Sequence, residues 1–324
     1  MTRLHIADIE HVRGRVARFA DVTPLRHTAP LSDQIGADVA LKLESLQPTG
    51  SFKVRGAAAK LAGLSPADLA RGVITASTGN HGRAVAHVAR LLGATATICL
   101  SEHVPASKVD SLRRAGCELD IAGDSQDAAF ARAAAIAGQD GGPVLVHSVL
   151  DPVVVAGQGT CGLEIAEQCS AARLVVVPVS GGGLLAGVAT AVKARLPAAQ
   201  VVGVSMEGGA VMHASLAAGH PVRLPEVPTL ADSLQGGLGC DNDVTFPVVR
   251  QLVDEIVLVT EDEIAAGMRY ALGEHRLVLE GAGAVGIAAL LAGKIARPDS
   301  GSVVVVCSGA NAEPEVIAEM ARRL

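Results

Sequence analysis

The stretch RLVVVPVSGGGLLAGVATAVKARL, residues 173–196, decides the fold class. A run of β-branched residues leads to Pro178 and then to three consecutive glycines, and an alanine-rich pattern follows. This order predicts a buried strand, a glycine loop and a helix. The uncharged run from Leu174 to Val192 approaches the length of a membrane span, but the proline and the glycines interrupt it, so we expect no spanning helix here.

Similar units occur through most of the chain. Strand-like runs are GVITAS, ATATICL, CELDIAG, VLVHSV, QVVGVSME and SVVVVCS. Helical patterns lie between them at Gly82–Leu92, Ser107–Ala115, Asp127–Ala137, Gly157–Gln168 and Leu184–Arg195. This alternation predicts an α/β fold with parallel sheets. The units form two blocks, at about residues 72–149 and 174–210, with another strand near Val303, so we expect two α/β lobes facing a cleft.

Composition narrows the classes of partner. The 324 residues are 49% hydrophobic but only 2% aromatic, without Trp, which is typical of an aliphatic α/β core. The formal charge of -6 comes without a cluster of Lys or Arg, so we expect a small metabolite rather than a nucleic acid or a membrane. Residues 1–16 lack the apolar segment of a signal peptide, and the six cysteines show no CxxC spacing. We therefore expect a cytoplasmic protein with reduced cysteines.

Three loops follow predicted strands, at the ends where ligands bind in open α/β sheets. They are STGNHG at 77–82, SGGGLLAG at 180–187 and CSGANAEP at 307–314. The first loop enters a helix, so its backbone N–H groups could bind a carboxylate or a phosphate, although Ser77 or Thr78 could also be an ordinary cap. In the third loop, Ser308 offers a neutral hydroxyl at the end of a strand.

The glycine loop at 180–187 leaves two alternatives open. Its glycines let the backbone approach an anion closely, because no side chain blocks the N–H groups. On its own, however, the loop also fits NAD: Gly181, Gly183 and Ala186 match GxGxxA, and Glu207 ends the following strand.

The stretch SLQPTGSFKVRGAAAK, residues 45–60, favours the first alternative. It places Lys53 where a loop becomes a helix, next to Phe52. A dinucleotide fold has no use for a lysine there, whereas a cofactor aldehyde needs an amine that is partly desolvated. Burial and the positive end of a helix dipole both disfavour the ammonium form, so they make the neutral nucleophile available near neutral pH.

Six ordered motifs carry a family resemblance over nearly the whole chain: TGSFKVRGA, STGNHGRA, AGQGT, SGGGLLAG, LEGAGAVG and SGAN. Together they resemble the fold-type II pyridoxal-phosphate enzymes, specifically the threonine/serine dehydratases and serine racemases. A finer resemblance, in ASTGNHGRAVAHVA, ADSLQGGLG, DEIVLVTEDEI and LEGAGAVG, is to the hydroxyectoine-utilization dehydratases, with threo-3-hydroxyaspartate and phenylserine dehydratases as related alternatives.

The resemblance implies the fold and its division. It implies a tryptophan synthase β-like architecture of two open three-layer α/β domains, with pyridoxal 5′-phosphate in the cleft between them. Residues 1–66 and 150–324 would form a large cofactor-binding domain, and residues 67–149 a small domain that binds the substrate carboxylate. A homodimer is expected from the same resemblance.

The resemblance also implies roles for named residues. Lys53 would bind the cofactor's aldehyde carbon and move the substrate's α-proton. The residues that would hold the cofactor are Phe52, Lys53, Asn80, Ser180, Gly181, Gly182, Gly183, Leu184, Glu280 and Ser308. The residues that would surround the substrate carboxylate are Ser77, Thr78, Gly79 and His81. Thr78 is also the second catalytic candidate, because racemases of the group place a serine there as the acid or base on the opposite face.

The expected reaction is β-elimination from a 3-hydroxy amino acid, giving a 2-oxo acid and ammonia. A neutral Ser308 beside the pyridine nitrogen makes the ring a weaker electron sink than a carboxylate partner would, which favours loss of the β-substituent. Racemisation on the same fold is the first alternative, and a NAD-binding oxidoreductase is the alternative from another class. Glu207 matches a carboxylate of a divalent-metal site in the family, but GGAVMH lacks a second carboxylate, so we expect no bound Mg or Ca.

Overall fold

The computed structural model describes residues 4–104, 106–239 and 241–324, apart from the side chains of Ser107 and Asp127. Two sheets form the fold, as the two blocks of the sequence predict. Their connections place the loops predicted to bind ligands at the same cleft.

The larger sheet has six strands in the order β1-β2-β10-β7-β8-β9. Its strands are β1 Leu25–His27, β2 Asp38–Lys42, β7 Ala172–Pro178, β8 Gln200–Met206, β9 Glu255–Val259 and β10 Ser302–Val306. Neighbours pair in parallel, with Val304 opposite both Ala40 and Val175, except that β1 runs antiparallel to β2. The predicted α/β fold with parallel sheets is confirmed, and the antiparallel edge strand β1 is an addition that the sequence did not predict.

The smaller sheet has four parallel strands in the order β5-β4-β3-β6. Its strands are β3 Val73–Ala76, β4 Ala96–Leu100, β5 Glu118–Ile121 and β6 Val144–Leu145. We call the part of the chain built on this sheet the small lobe and the part built on the six-stranded sheet the large lobe.

Fourteen helices are described around the two sheets. They are α1 Ile6–Val16, α2 Ala29–Ile35, α3 Lys53–Leu61, α4 Pro66–Arg71, α5 Asn80–Leu91, α6 Ala106–Arg114, α7 Gln126–Ala137, α8 Pro152–Gln168, α9 Gly183–Arg195, α10 Val211–Ala218, α11 Thr245–Leu252, α12 Glu261–His275, α13 Gly281–Leu291 and α14 Pro314–Arg322. Short 3-10 turns lie at Glu44–Leu46 and Asp232–Leu234.

All five predicted helices are confirmed, and the largest difference is at α8. It begins five residues before the predicted Gly157, because Pro152 occupies its first turn and the Asp151 carboxylate accepts hydrogen bonds from the N–H groups of Val153 and Val154.

The core is aliphatic, as the composition predicts, and helices α8 and α9 pack backbone to backbone within it. A methyl group added at Gly187 would lie 2.5 Å from the backbone nitrogen of Gly159, so this crossing requires glycine. The described cysteines are unpaired; four are buried and Cys117 is partly buried, while Cys240 lies outside the described residues. Among the helices described, not one combines the length and apolarity needed to cross a bilayer.

Candidate active site

The site lies where the strand order of each sheet reverses. In the large lobe the chain proceeds from β7 to β8 and β9 and then returns to β10 on the other side of β7. In the small lobe it proceeds from β3 to β4 and β5 and then returns to β6 on the other side of β3. Loops at the carboxyl ends of such neighbouring strands diverge and leave a crevice. The loops after β3, β6, β7 and β10 therefore supply the site.

Backbone hydrogen bonds hold the Lys53 loop against the loop that follows β10. The N–H of Phe52 donates to the carbonyl of Ser308 at 3.1 Å, and the N–H of Ala310 donates to the carbonyl of Gly50 at 2.9 Å. The N–H of Glu280 donates to the carbonyl of Gly309 at 3.1 Å. Three motifs that are far apart in the sequence thus meet at one point.

Lys53 is the first residue of helix α3, as predicted, and its side chain is partly buried. Its Nζ lies 5.0 Å from the centroid of the Phe52 ring, so the ring covers one side of the amine. Among the described residues, no hydrogen bond or ion pair engages this Nζ. Burial lowers the pKa of Lys53 to about 8, although the Glu280 carboxylate opposes the shift. The neutral, nucleophilic form of the amine is accordingly far more accessible near neutral pH than in an ordinary lysine.

The glycine loop after β7 leads into helix α9 without a side-chain cap, which is the arrangement an anion cradle requires. Gly182 is the cap residue, with a φ of +87° and no side-chain cap bond, so the first N–H groups of the helix remain available. A methyl group added at Gly182 would lie 2.5 Å from the Met212 Cε. The Thr245 hydroxyl fixes the loop from below by donating to the Gly181 carbonyl at 2.6 Å, and the Asn242 amide donates to the Thr245 oxygen at 2.9 Å.

The STGNHG loop after β3 leads into helix α5 without a side-chain cap. Gly79 is the cap residue, and neither Ser77 nor Thr78 bonds the first turn of the helix; the Ser77 oxygen only accepts the N–H of Gly79 at 3.3 Å. The cap interpretation is therefore wrong, and the first N–H groups of α5 are free of side-chain caps. A methyl group added at Gly79 would have no atom of a non-neighbouring residue within 4 Å, so there is open space beside this residue.

Asn80 links the small lobe to three segments of the large lobe. Its amide nitrogen donates to the Glu280 carboxylate at 2.7 Å and to the Ser233 hydroxyl at 3.3 Å, and its amide oxygen accepts from Asn311 at 2.6 Å. Glu280 is buried, and this burial together with the charge of Asp232 raises its pKa to about 7, against the hydrogen bonds that it accepts. The carboxyl therefore exchanges its proton near neutral pH.

Two histidines flank Lys53, and the structure fixes the tautomer of each. His81 is buried, and its Nε2 lies 3.0 Å from the Val146 carbonyl, so Nε2 carries the proton and the unpartnered Nδ1 presents a lone pair. His147 accepts the N–H groups of Val149 and Leu150 at its Nδ1, at 3.2 and 3.1 Å, so its Nε2 carries the proton.

Both imidazoles are held neutral. Burial first and the charge of Lys53 second lower the pKa of His81 to about 3. Burial also lowers the pKa of His147 to about 4, and its ring stacks on Phe130 with centroids 4.9 Å apart. His81 was predicted from its motif, but His147 was not, because its only signal is its place inside the strand-like run VLVHSV.

Ser308 is buried directly after the β10 run, with its hydroxyl 3.5 Å from the Ala282 carbonyl. Glu207 lies away from these groups: it is exposed, and its carboxylate is 3.8 Å from Lys294. The described part of the chain contains no group of three or more His, Cys, Asp or Glu side chains that could hold a metal ion.

A buried ion cluster that the sequence did not predict lies behind Lys53. It consists of two cations and two carboxylates: Lys42, Glu44, Arg55 and Glu164. Arg55 donates to Glu44 at 2.7 Å and to Glu164 at 2.6 Å, and Lys42 donates to Glu164 at 2.6 Å. Burial alone would raise the pKa of Glu44, but the charge of Arg55 holds it below its usual value. Through Arg55, two residues beyond Lys53, the cluster joins helix α3 to helix α8 and strand β2.

Comparison with known proteins agrees with this geometry. The family model described as pyridoxal-phosphate dependent enzyme matches residues 16–309. A relative from Sinorhizobium fredii is 49% identical over 311 residues, which cover 96% of this chain and 93% of that protein. The L-threonine ammonia-lyase of Thermotoga maritima is 40% identical over 312 residues, covering 96% of this chain and 77% of that one.

Solved structures show the same similarity. Maize serine racemase superposes with a TM-score of 0.90 at 31% identity, covering 99% of this chain and 98% of that chain. The processed form of threonine deaminase isoform 2 from Solanum lycopersicum superposes with a TM-score of 0.88 at 35% identity, covering 98% and 91%. These matches decide against the NAD alternative for the glycine loop. The chain belongs to the fold-type II family of pyridoxal-phosphate-dependent enzymes, among relatives of the threonine dehydratase and serine racemase type.

Proposed function

We propose that the protein is a β-eliminating ammonia-lyase that converts a 3-hydroxy amino acid into a 2-oxo acid and ammonia. The single observation that carries this proposal is the Lys53 amine: it has no described partner, its pKa is lowered to about 8, and it lies at the crevice that the glycine loop also enters. The reaction balances without an oxidant, because the water lost in the elimination returns when ammonia is released.

The residues fit pyridoxal phosphate. Lys53 offers the amine and Phe52 a flat apolar surface beside it. Ser180, Gly181, Gly182, Gly183 and Leu184 offer backbone N–H groups for a phosphate, and Asn80 offers an amide for the ring hydroxyl. Ser308 offers a hydroxyl rather than a charge to the ring nitrogen, and Glu280 lies behind Asn80. When bound, pyridoxal phosphate supplies an aldehyde that condenses with amines and a ring that withdraws electrons from the adjacent carbon.

The chain's own groups move the proton. The neutral Lys53 amine takes the α-proton and, as the ammonium, is stabilised by the Glu280 carboxylate. His81 and His147 flank this amine as neutral groups, so neither places a second positive charge beside it. The two backbone N–H groups that His147 accepts occupy its Nδ1, which leaves the proton on Nε2.

The N-terminus of α5 would hold the substrate carboxylate. Ser77, Thr78, Gly79 and His81 lie at this cradle, and the open space beside Gly79 leaves room for a ligand. With the carboxylate held there, the α-carbon lies between the small lobe and Lys53, which orients the α-proton for transfer.

Racemisation is the second candidate, and one observation favours it. The Thr78 hydroxyl has no hydrogen-bond partner among the described residues, so it is available to protonate the α-carbon from the face opposite Lys53. Similarity to serine racemases supports the same candidate. The neutral Ser308 partner favours elimination as the main reaction.

Further parts of the proposal rest on sequence resemblance. We propose a catabolic role of the hydroxyectoine-utilization type, a cytoplasmic location and a homodimer. We also propose that the division at residues 66/67 and 149/150 separates the two domains. The small sheet, Val73–Leu145, falls within the proposed small domain.

The test is a substrate panel on the purified holoenzyme. Single enantiomers of serine, threonine and 3-hydroxyaspartate are incubated, and ammonia, 2-oxo acid and the opposite enantiomer are each quantified. We expect ammonia and 2-oxo acid in equal amounts from at least one hydroxy amino acid.

The matched control uses two lysines of the same helix. Lys53→Ala should abolish product formation, whereas Lys60→Ala, in the last turn of α3, should keep it, because the Lys60 amine pairs with Asp151 instead. Equal activity of the two variants would overturn the proposal. Enantiomer exchange without ammonia would replace it by racemisation.

A further inference from the structure

The 3-10 turn Asp232–Leu234 connects the lobes at the site. Ser233 bonds both Asn80 of the small lobe and the Glu280 carboxylate. Gln235, which follows the turn, accepts the Ser180 hydroxyl at 3.5 Å through its carbonyl, and its N–H donates to the Asp232 carbonyl at 3.1 Å. The turn and the residue after it therefore contact the glycine loop at Ser180, the Asn80 amide and the Glu280 carboxyl.

An ion pair joins this turn to the small lobe. The Lys108 amine, in the first turn of α6, lies 2.7 Å from the Asp232 carboxylate. Helix α6 follows β4, whose carboxyl end neighbours the STGNHG loop, so the pair spans the crevice beside the predicted substrate site. The two side chains are only 25% and 42% exposed.

We propose that Lys108 and Asp232 are a positioning pair for the reaction: their contact closes the small lobe onto the turn and thereby sets Ser233, Asn80 and the phosphate cradle. Without the pair, the turn keeps its buried Leu234 anchor but loses its charged tie to α6. The Ser233 hydroxyl, which accepts from the Asn80 amide, is then no longer held in a fixed position. This inference rests on the proposed function, because it assigns the pair to that reaction.

The chain offers a matched control. Lys193 and Asp254 are also 2.7 Å apart and are 23% and 37% exposed, but both belong to the large lobe and lie away from the site. Lys108→Met and Lys193→Met each remove one amine from a pair of the same length and similar exposure. The double variant Lys108→Asp with Asp232→Lys restores the first pair with its charges exchanged.

The first readout is hydrogen–deuterium exchange of the holoenzyme over residues 230–236, which does not depend on turnover. We expect Lys108→Met to speed this exchange about fivefold, as loss of a partly buried ion pair allows, while Lys193→Met leaves it unchanged. Higher salt should have the same effect on the unmodified protein, without any substitution.

The second readout is steady-state kinetics on the best substrate of the panel. Lys108→Met should lower kcat/KM about fivefold, mainly through KM, and the charge-exchanged variant should recover most of the loss. Equal exchange in the two Met variants, or a charge-exchanged variant that restores neither readout, would overturn the positioning role. If the proposed function is wrong but the positioning pair is real, hydrogen–deuterium exchange over residues 230–236 would still speed up in Lys108→Met, while no substrate of the panel would be converted.

Discussion

Replacing Glu164 by glutamine tests whether the buried ion cluster holds the lysine helix in place. Glu164 accepts three hydrogen bonds: one from Lys42 at 2.6 Å and two from Arg55 at 2.6 and 2.8 Å. Its two carboxylate oxygens thus serve both cations of the cluster. Glutamine keeps the volume but offers one oxygen and turns an NH₂ group toward a cation.

The structure sets the size of the effect. With all four groups charged the cluster is neutral, and Glu164→Gln leaves one uncompensated positive charge among buried side chains. Breaking a buried ion pair by removal of one partner costs about 3–5 kcal/mol. For a urea dependence of about 3 kcal/mol per M, the unfolding midpoint should fall by about 1–1.7 M.

Helix α8 supplies the control one turn later. Glu167 also pairs with an arginine, Arg13, at 2.6 Å, but the two side chains are 52% and 49% exposed. Glu167→Gln should therefore cost about 0–1 kcal/mol. Unfolding is best followed by far-ultraviolet circular dichroism, because the chain has no Trp and a single Tyr.

The same variant should lose cofactor, because Arg55 lies two residues beyond Lys53 on helix α3. We expect Glu164→Gln to show both a lower midpoint and a weaker retention of pyridoxal phosphate on dialysis. If the Glu164 and Glu167 variants unfold at the same urea concentration, the cluster does not carry the stability assigned to it.

Three further predictions address the site itself. Gly182→Ala should weaken pyridoxal-phosphate affinity about tenfold in an absorbance titration, because the added methyl group would lie 2.5 Å from the Met212 Cε and so displace the glycine loop. Gly219→Ala carries the same kind of backbone strain, with a φ of +78°, but has open space around it and should not change the affinity. Glu280→Gln should lower the pH at which half of the Lys53 amine is labelled in cofactor-free protein to below about 8, because the Glu280 carboxylate normally raises the pKa of Lys53. Glu274→Gln, at an exposed site, should leave this pH unchanged. A rise of this pH in the Glu280 variant would contradict the effect assigned to the Glu280 carboxylate. Acidification below about pH 6.5 should destabilise the protein by up to ~1.4 kcal/mol per pH unit for each neutral histidine. The reason is that the unfolded chain binds a proton at each histidine near pH 6.5, whereas in the folded protein the pKa of His81 is about 3 and that of His147 about 4. Urea midpoints measured at several pH values should depend less steeply on pH in His81→Asn, and an unchanged dependence would count against the buried neutral imidazole.

The parts of the fold that the sequence predicted are those with a strong local pattern. The run 173–196 gave strand, loop and helix in their places, because a β-branched run, glycines and an alanine-rich helix are all local signals. Strand β1 was missed, since its three residues, Leu25–His27, are too short to show a period. Its antiparallel pairing could not be predicted for the same reason.

The site divides in the same way. Lys53, Asn80 and the glycine loop belong to motifs that can be read along the chain. His147 stands alone after a short strand, and its tautomer depends on N–H groups that only the folded turn presents. Arg55 and Glu164 are 109 positions apart, and residues of their kind are usually exposed, so only the tertiary structure brings them together.

The most direct test of the account is the identity of the residue that holds the cofactor. The holoenzyme is treated with borohydride, denatured and digested with trypsin, and the peptide masses are measured by mass spectrometry. We predict that the reduced cofactor is attached to Lys53, within the peptide of residues 43–55 that lies between Lys42 and Arg55. Attachment at any other lysine, or retention of full cofactor labelling in Lys53→Ala, would contradict the central claim.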